Sequence, residues 1–119
     1  MNGRCVRIMG WAKSFQFAKE NCETDAAKLA EPQTPCESDL LQYYLQIRGN
    51  VNSDAYIGIQ FNETLSYVST GKPVEFDYWY QNRKENCVHL RGHNPKGFWH
   101  DVPCNAGMLF ICEKPLDRF

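Results

Sequence analysis

The sequence has no apolar run approaching the roughly 20 residues that a membrane-spanning helix needs, so it predicts no membrane span. Neither sign of charge dominates, because 13 Lys and Arg residues against 14 Asp and Glu residues leave a formal net charge of −1. Nucleic-acid-binding proteins normally carry a basic stripe, and none is visible, so nucleic acid is excluded as a partner. The sequence also lacks internal repeats, linkers and low-complexity segments, and its 119 residues predict one domain, 1–119.

Two further features are missing. The beginning, MNGRCVRIMGW, lacks the long apolar stretch of a signal peptide. We therefore expect either that Met1 was added to the natural chain or that the sequence is a piece of a larger secreted protein. There is no CxxC pair, which argues against a zinc ribbon or a thioredoxin-like redox motif. His89, His93 and His100 also lack the paired spacing of a zinc site.

Cysteine, in contrast, is abundant for a chain of this length. An even number of scattered cysteines is typical of a disulfide framework, which forms in an oxidising compartment and predicts an extracellular protein. Spacing alone does not choose among the fifteen connectivities that six cysteines allow. The six are Cys5, Cys22, Cys36, Cys87, Cys104 and Cys112.

Two segments show the periodicity of amphipathic helices. In SFQFAKENC, Ser14 is a favoured N-cap residue, and Phe15, Ala18 and Cys22 fall on one helical face. In TPCESDLLQYYLQIRG, Thr34 is the expected N-cap, Pro35 occupies the first helical position and Gly49 is expected to end the helix. Glu37 completes a capping box with Thr34. The predicted apolar stripe of this second helix is Leu40, Leu41, Tyr44 and Leu45.

After Gly49 the hydrophobic pattern shortens to strand-like pieces that Gly, Pro and Asn separate. They are AYIGIQF, LSYVS, VEFDYW, CVHLR, GFWHDV and LFICEK. Two helices followed by many short strands predict an α+β fold, with helices beside an antiparallel sheet.

Five ordered motifs resemble those of the C-type lectin-like domain family, and together they cover nearly the whole chain. AYIGI (55–59) is similar to the core strand WIGL, and YVSTGKPVEFDYW to the strand–turn–strand that follows it. ENCVHL and GFWHDVPC resemble the ENC and WND-x-x-C segments, and FICEK resembles the final strand. The resemblance implies two helices packed on small antiparallel sheets, a long loop region and stapling by disulfides.

The resemblance also implies the bridges Cys22–Cys112 and Cys87–Cys104. The first would tie the first helix to the last strand, and the second would hold the ENC segment beside the WHD segment. Closing loops of these lengths stabilises a fold by about 3–5 kcal/mol in chain-entropy models.

Cys5 resembles the inner cysteine of the amino-terminal hairpin found in longer family members, but its usual upstream partner is missing. Cys36 is an extra cysteine. We therefore expect an intramolecular Cys5–Cys36 bridge, and a bridge between two chains is the alternative.

The resemblance further implies a sugar site in which calcium bridges the protein to saccharide hydroxyls. Calcium takes six to eight oxygen ligands. Glu85 matches the family's Glu before the cysteine and Asp101 matches the Asp of WND, but His100 stands where Asn is expected. An imidazole nitrogen is a poor substitute for a hard amide oxygen at calcium. Glu85 and Asp101 are therefore predicted to form a weak or lost calcium site.

The opening stretch of the long loop departs further from the family. Its Glu-Pro-Asn triplet is absent, and Gln81 and Asn82 are the side chains that remain to supply oxygens. Asn62 begins the sequon NET and is a candidate glycosylation site. The predicted ligand-binding face comprises Gln81, Asn82, Glu85 and Asp101, with His100 at its mouth.

We interpret the chain as an extracellular recognition module and not an enzyme, because no nucleophile, base and orienting group emerge together. The first hypothesis is a carbohydrate-binding lectin with weakened or absent calcium dependence. The alternative is a calcium-independent domain that binds a protein ligand through the same face, as one module of a larger secreted or receptor protein. The sequence does not determine the sugar, the protein ligand or the oligomeric state.

Overall fold

The structure, a computed structural model, describes residues 3–48, 53–79, 85–93 and 96–116. Within these ranges the chain forms two α-helices and seven β-strands. In chain order they are β1 (Arg4–Ala12), α1 (Phe15–Thr24), β2 (Lys28–Leu29), α2 (Pro35–Arg48), β3 (Asp54–Asn62), β4 (Thr64–Tyr67), β5 (Cys87–Arg91), β6 (His100–Val102) and β7 (Met108–Pro115).

Helix α1 begins at the predicted cap. The Ser14 hydroxyl accepts a hydrogen bond from the Phe17 N–H at 3.2 Å, which satisfies one of the free N–H groups of the first turn. Phe15, Ala18 and Cys22 are the buried residues of this helix. Both the cap and the buried face agree with the sequence prediction.

Helix α2 also begins as predicted. The Thr34 hydroxyl accepts a hydrogen bond from the Glu37 N–H at 3.1 Å, and Pro35 is the first helical residue. The Glu37 carboxylate reaches back to accept from the N–H of Gln33 at 2.8 Å, one residue before the position expected for a capping box. Gly49, the predicted end, lies outside the described residues.

The buried face of α2 differs from the prediction. Leu41 and Leu45 are buried as expected, but Leu40 is 52% exposed. Gln42 is buried instead, and its side-chain amide donates to the carbonyl of Gly92 at 3.0 Å. This long-range hydrogen bond accompanies the burial of Gln42 on the sheet side of the helix, and hydrophobicity alone does not reveal it.

The described strands form one sheet in the order β1-β7-β3-β5-β6, with β2 pairing β7 and β4 pairing β3. The pairing is antiparallel except between β3 and β7, which run parallel, so the sheet is mixed where antiparallel sheets were expected. Among the described residues, the segment VEFDYW forms no strand beyond the isolated bridge Trp79↔Trp99. Strand β1, which the hydrophobic pattern did not indicate, supplies one edge.

Two disulfides connect these elements. Cys22–Cys112 joins α1 to β7 with a Cα–Cα distance of 5.6 Å. Cys87–Cys104 joins the first residue of β5 to the turn after β6 with a Cα–Cα distance of 5.2 Å. These are the two bridges that the resemblance implies.

The expected Cys5–Cys36 bridge is not formed, and both thiols are free and exposed. Successive side chains of a strand point to opposite faces of the sheet. Arg4 forms an ion pair with Glu37 of α2 at 2.5 Å, so Arg4 lies on the face that α2 covers and Cys5 points to the other. The sheet therefore separates Cys5 from Cys36, a consequence of strand register that cysteine counting does not reveal.

The sheet has a hydrophobic cluster on each face. One includes Phe15, Cys22 and Tyr56 and packs against α1, while the other includes Leu41 and Trp99 and packs against α2. Neither helix of the described chain is long and apolar enough to cross a membrane.

Candidate functional site

The candidate site is built on the antiparallel pair β5 and β6, whose register places Val88 opposite Asp101 and His89 opposite His100. Because side chains alternate along a strand, Asp101 and His100 point to opposite faces of β6. The Cys87–Cys104 disulfide fastens the beginning of β5 to the residues that follow β6. His100 and Asp101 are adjacent in the sequence, so their side chains cannot both face the same site while β6 remains a strand.

Glu85 and Asp101 are brought together as the sequence predicts. The backbone N–H of Glu85 donates a hydrogen bond to Oδ2 of Asp101 at 2.7 Å. Glu85 is exposed and Asp101 is half-buried. One oxygen of the Asp101 carboxylate is thus already engaged by the protein backbone, and the Glu85 side chain faces solvent.

The sequence predicts His100 at the mouth of this face. This prediction is wrong, because His100 is only 2% exposed. Its ring lies edge-on to that of His89, with a centroid distance of 5.9 Å. Burial, with a smaller contribution from the Arg91 charge, lowers the pKa of His100 to about 4 and that of His89 to about 3. Both imidazoles are therefore neutral at physiological pH and belong to the interior.

Gln81 and Asn82, the two amides predicted to contribute to the site, lie outside the described residues. In the described part of the chain, no group of three or more His, Cys, Asp or Glu side chains is arranged to hold a metal ion. Glu85 and Asp101 are the carboxylates that the described chain offers at the predicted calcium position. Calcium takes six to eight oxygens, so these two residues do not by themselves complete a calcium site.

An aromatic wall lies on the segments that adjoin the two carboxylates, since Trp99 is two residues before Asp101 and Phe61 accepts a hydrogen bond from Asn86, the residue after Glu85. Trp79 is half-buried and packs edge-on against Trp99, with ring centroids 5.9 Å apart, and against Phe61 at 6.3 Å. Trp99 is fully buried, and its indole N–H donates to the hydroxyl of Ser38 at 3.0 Å. Trp99 is therefore a core residue, whereas Trp79 is partly accessible to a ligand.

Sequence reasoning missed Phe61 as a member of this wall. Phe61 lies near the end of β3, and its carbonyl accepts a hydrogen bond from the Asn86 side chain at 3.0 Å. The available signal was the strand alternation of AYIGIQF, which places Phe61 on the same face as Ile57 and Ile59. The hydrogen bond to Asn86 then fastens β3 to the ENC segment.

The predicted glycosylation residue, Asn62, is exposed at the hairpin between β3 and β4. Glu63, which follows it, has a positive φ of 66°, as tight hairpin turns often require. The sequon is thus accessible, and its modification stays a prediction.

Comparison with known proteins agrees with this architecture. Residues 11–114 match the model of the Lectin C-type domain. Tetranectin from Bos taurus is 30% identical over 122 aligned residues, which cover 92% of this chain and 59% of tetranectin. The chain thus spans less than two thirds of that relative's length.

Solved structures share the fold at lower identity. The mouse scavenger receptor C-type lectin carbohydrate-recognition domain superposes with a TM-score of 0.82 at 21% identity, covering 100% of this chain and 94% of that one. A calcium-independent type II antifreeze protein superposes with a TM-score of 0.75 at 23% identity, covering 95% and 87%. The mouse structure is described as a carbohydrate-recognition domain, and lectin-type domains of this kind are not enzymes. With its two disulfides, its mixed sheet and a family match over most of its length, the chain belongs to the C-type lectin domain family.

Proposed function

We propose that this chain is an extracellular recognition domain that binds a glycan with weak or no dependence on calcium. The binding face would comprise Glu85, Asp101 and the adjoining loop residues Gln81 and Asn82, next to the half-buried ring of Trp79. The extracellular location is supported by the two disulfides, which persist in oxidising compartments.

The observation that carries the proposal is the 2.7 Å hydrogen bond from the Glu85 N–H to Oδ2 of Asp101. It gives the Asp101 carboxylate a protein partner in place of a cation. His100 points into the interior and contributes no ligand to this face. Calcium would have to complete its coordination shell largely with water, as weak extracellular sites do.

Glycan binding is supported by the character of the surface. Ligand sites combine apolar or aromatic surface with a few convergent polar groups that fix orientation. Here Trp79 and Phe61 supply half-buried aromatic surface, and Glu85 and Asp101 supply hydrogen-bond acceptors for sugar hydroxyls. Such a face can recognise a saccharide directly, without a bridging metal ion.

The test is a glycan array probed with the same protein sample in calcium and again in chelator. We expect the same glycans to bind in both conditions, with signals within about threefold of each other. Asp101→Ala should abolish binding, whereas Glu20→Ala, at an exposed acidic residue on α1, should not. Loss of all binding on chelation would contradict the proposal.

Calcium-independent binding of a protein ligand is the second candidate. It is favoured by the same internal hydrogen bond of Asp101, because a face that needs no metal is not restricted to sugars. The fold also occurs in a protein described as calcium-independent. No glycan signal in either array condition, together with binding to a protein ligand that Asp101→Ala weakens, would favour this alternative.

A further inference from the structure

Helix α2 carries large apolar side chains on its solvent side as well as on its buried side. Leu40 is 52% exposed, Tyr43 61% and Ile47 59%. The free, exposed thiol of Cys36 continues the series one turn earlier. We call Cys36, Leu40, Tyr43 and Ile47 the α2 seam.

The spacing of the α2 seam is that of a coiled-coil interface. Its residues are separated by four, three and four positions, the alternation of the two core positions in a heptad repeat. Buried Leu41 and Leu45 lie on the other side of the helix, where they pack against the sheet. The core of the domain therefore does not account for the seam.

Two acidic residues that flank the seam are engaged within the domain. Glu37 pairs with Arg4 at 2.5 Å, and its side chain is only 13% exposed. The Asp39 carboxylate accepts hydrogen bonds from the Tyr78 hydroxyl and from the Gly97 N–H, each at 2.8 Å. Glu37 is ion-paired, and Asp39, although still charged, is held by hydrogen bonds to its own domain, so the face is compatible with self-association.

We propose that the α2 seam pairs with the same seam of a second copy of this chain, the two helices lying parallel, and that a Cys36–Cys36 disulfide links the copies. Parallel pairing about a two-fold axis places each seam residue opposite its equivalent. This interaction surface lies on the solvent side of α2 and goes beyond the proposed ligand face.

The linkage is an oxidation and needs a disulfide donor such as oxidised glutathione. One Cys36 thiolate attacks the donor, forms a mixed disulfide and releases a thiol; the second Cys36 thiolate then displaces the remaining thiol. One sulfur–sulfur bond forms between the chains, the donor's sulfur–sulfur bond breaks, and two donor thiols carry away the electrons and protons.

The covalent link is expected to be necessary. The three apolar side chains of the seam form a patch of a few hundred Å², less than the roughly 800 Å² that each partner contributes to a stable complex. The seam therefore aligns the two thiols and raises their effective concentration, and the disulfide then holds the pair. Reduction should return the protein to a monomer at micromolar concentration.

Cys5 provides a matched control, because it is also free and exposed but lies on β1, on the face of the sheet away from α2. The whole chain is incubated at micromolar concentration with reduced and oxidised glutathione and followed on non-reducing gels and by light scattering. We expect the wild type and Cys5→Ala to form a species of twice 13.8 kDa, and Cys36→Ala to remain monomeric. Mass spectrometry should recover a Cys36–Cys36 linked peptide.

The role of the seam is tested separately from that of the thiol. Leu40→Glu should slow dimer formation at least tenfold, whereas Phe17→Glu, at a 42% exposed apolar position on α1, should leave the rate within twofold of wild type. A dimer linked through Cys5, a monomer with a Cys5–Cys36 bridge, or equal rates for the two glutamate variants would overturn the proposal.

Discussion

The backbone N–H of Glu85 and Oδ2 of Asp101 lie 2.7 Å apart and form a hydrogen bond between the ENC segment and strand β6. The Cys87–Cys104 disulfide supports the same contact covalently, since it fastens β5 beside β6. The partly buried Asp101 carboxylate thus has a backbone partner. We expect this contact to affect both the stability of the region and its affinity for calcium.

Removal of the Asp101 carboxylate should destabilise this region modestly. Asp101→Ala deletes the acceptor for the Glu85 N–H, and we expect the free energy of unfolding to fall by about 1–2 kcal/mol, the usual cost of losing one such hydrogen bond. Asp101→Asn keeps an acceptor oxygen at the same place and should cost less than half as much. Urea denaturation of both variants beside wild type measures the difference, and an equal loss in both would show that the contact does not depend on the acceptor oxygen.

Trp99→Ala should be far more destabilising. Trp99 is fully buried, packs against Trp79 and donates its indole N–H to Ser38. Emptying such a site costs about 3–5 kcal/mol. Trp11 is 69% exposed, so Trp11→Ala should cost less than about 1 kcal/mol. Similar unfolding midpoints for the two variants would contradict the assignment of Trp99 to the core.

Acid should destabilise the fold partly through His89. Burial, and next the Arg91 charge, lower its pKa from 6.5 to about 3, with a smaller effect from His100 and an opposing one from Asp101. Below pH 6.5 the unfolded chain gains a proton at this position that the folded chain does not. Stability is therefore present above pH 6.5 and falls as the pH drops towards 3, by up to about 1.4 kcal/mol per pH unit.

The matched test replaces one histidine at a time. His89→Gln removes this proton uptake, so the decline of stability between pH 6.5 and pH 4 should be shallower than in wild type. Burial lowers the pKa of His100 to about 4, so His100→Gln should also make the decline shallower, by less than His89→Gln does. Thermal unfolding over this pH range gives the slopes, and a steeper or identical slope for His89→Gln would refute the assignment.

Structural features that depend on local contacts were predicted from the sequence, whereas features that depend on distant contacts were not. Both helix starts were predicted, because Ser14 and Thr34 act on N–H groups three residues away. The buried face of α2 was predicted incorrectly at Leu40, because its orientation depends on Gln42 and the distant Gly92. Hydrophobic periodicity carries no information about such a contact.

The candidate site shows the same division. The motifs around Cys87 and Cys104 were sufficient to place Glu85 beside Asp101. They were not sufficient to place His100. A motif gives only the order of residues along the chain, whereas the alternation of side chains in β6 determines which face of the sheet each residue occupies. The Cys5–Cys36 bridge was wrong for the same reason, since strand register directs the Cys5 side chain away from α2.

Calcium titration by isothermal calorimetry, on wild type and Asp101→Ala, tests the central claim most directly. The described face offers Glu85 and an Asp101 that is already hydrogen-bonded. We therefore predict for wild type a dissociation constant no tighter than about 10⁻⁴–10⁻³ M, the range of weak extracellular sites. A micromolar dissociation constant that Asp101→Ala abolishes would contradict the account and restore a calcium-bridged sugar site.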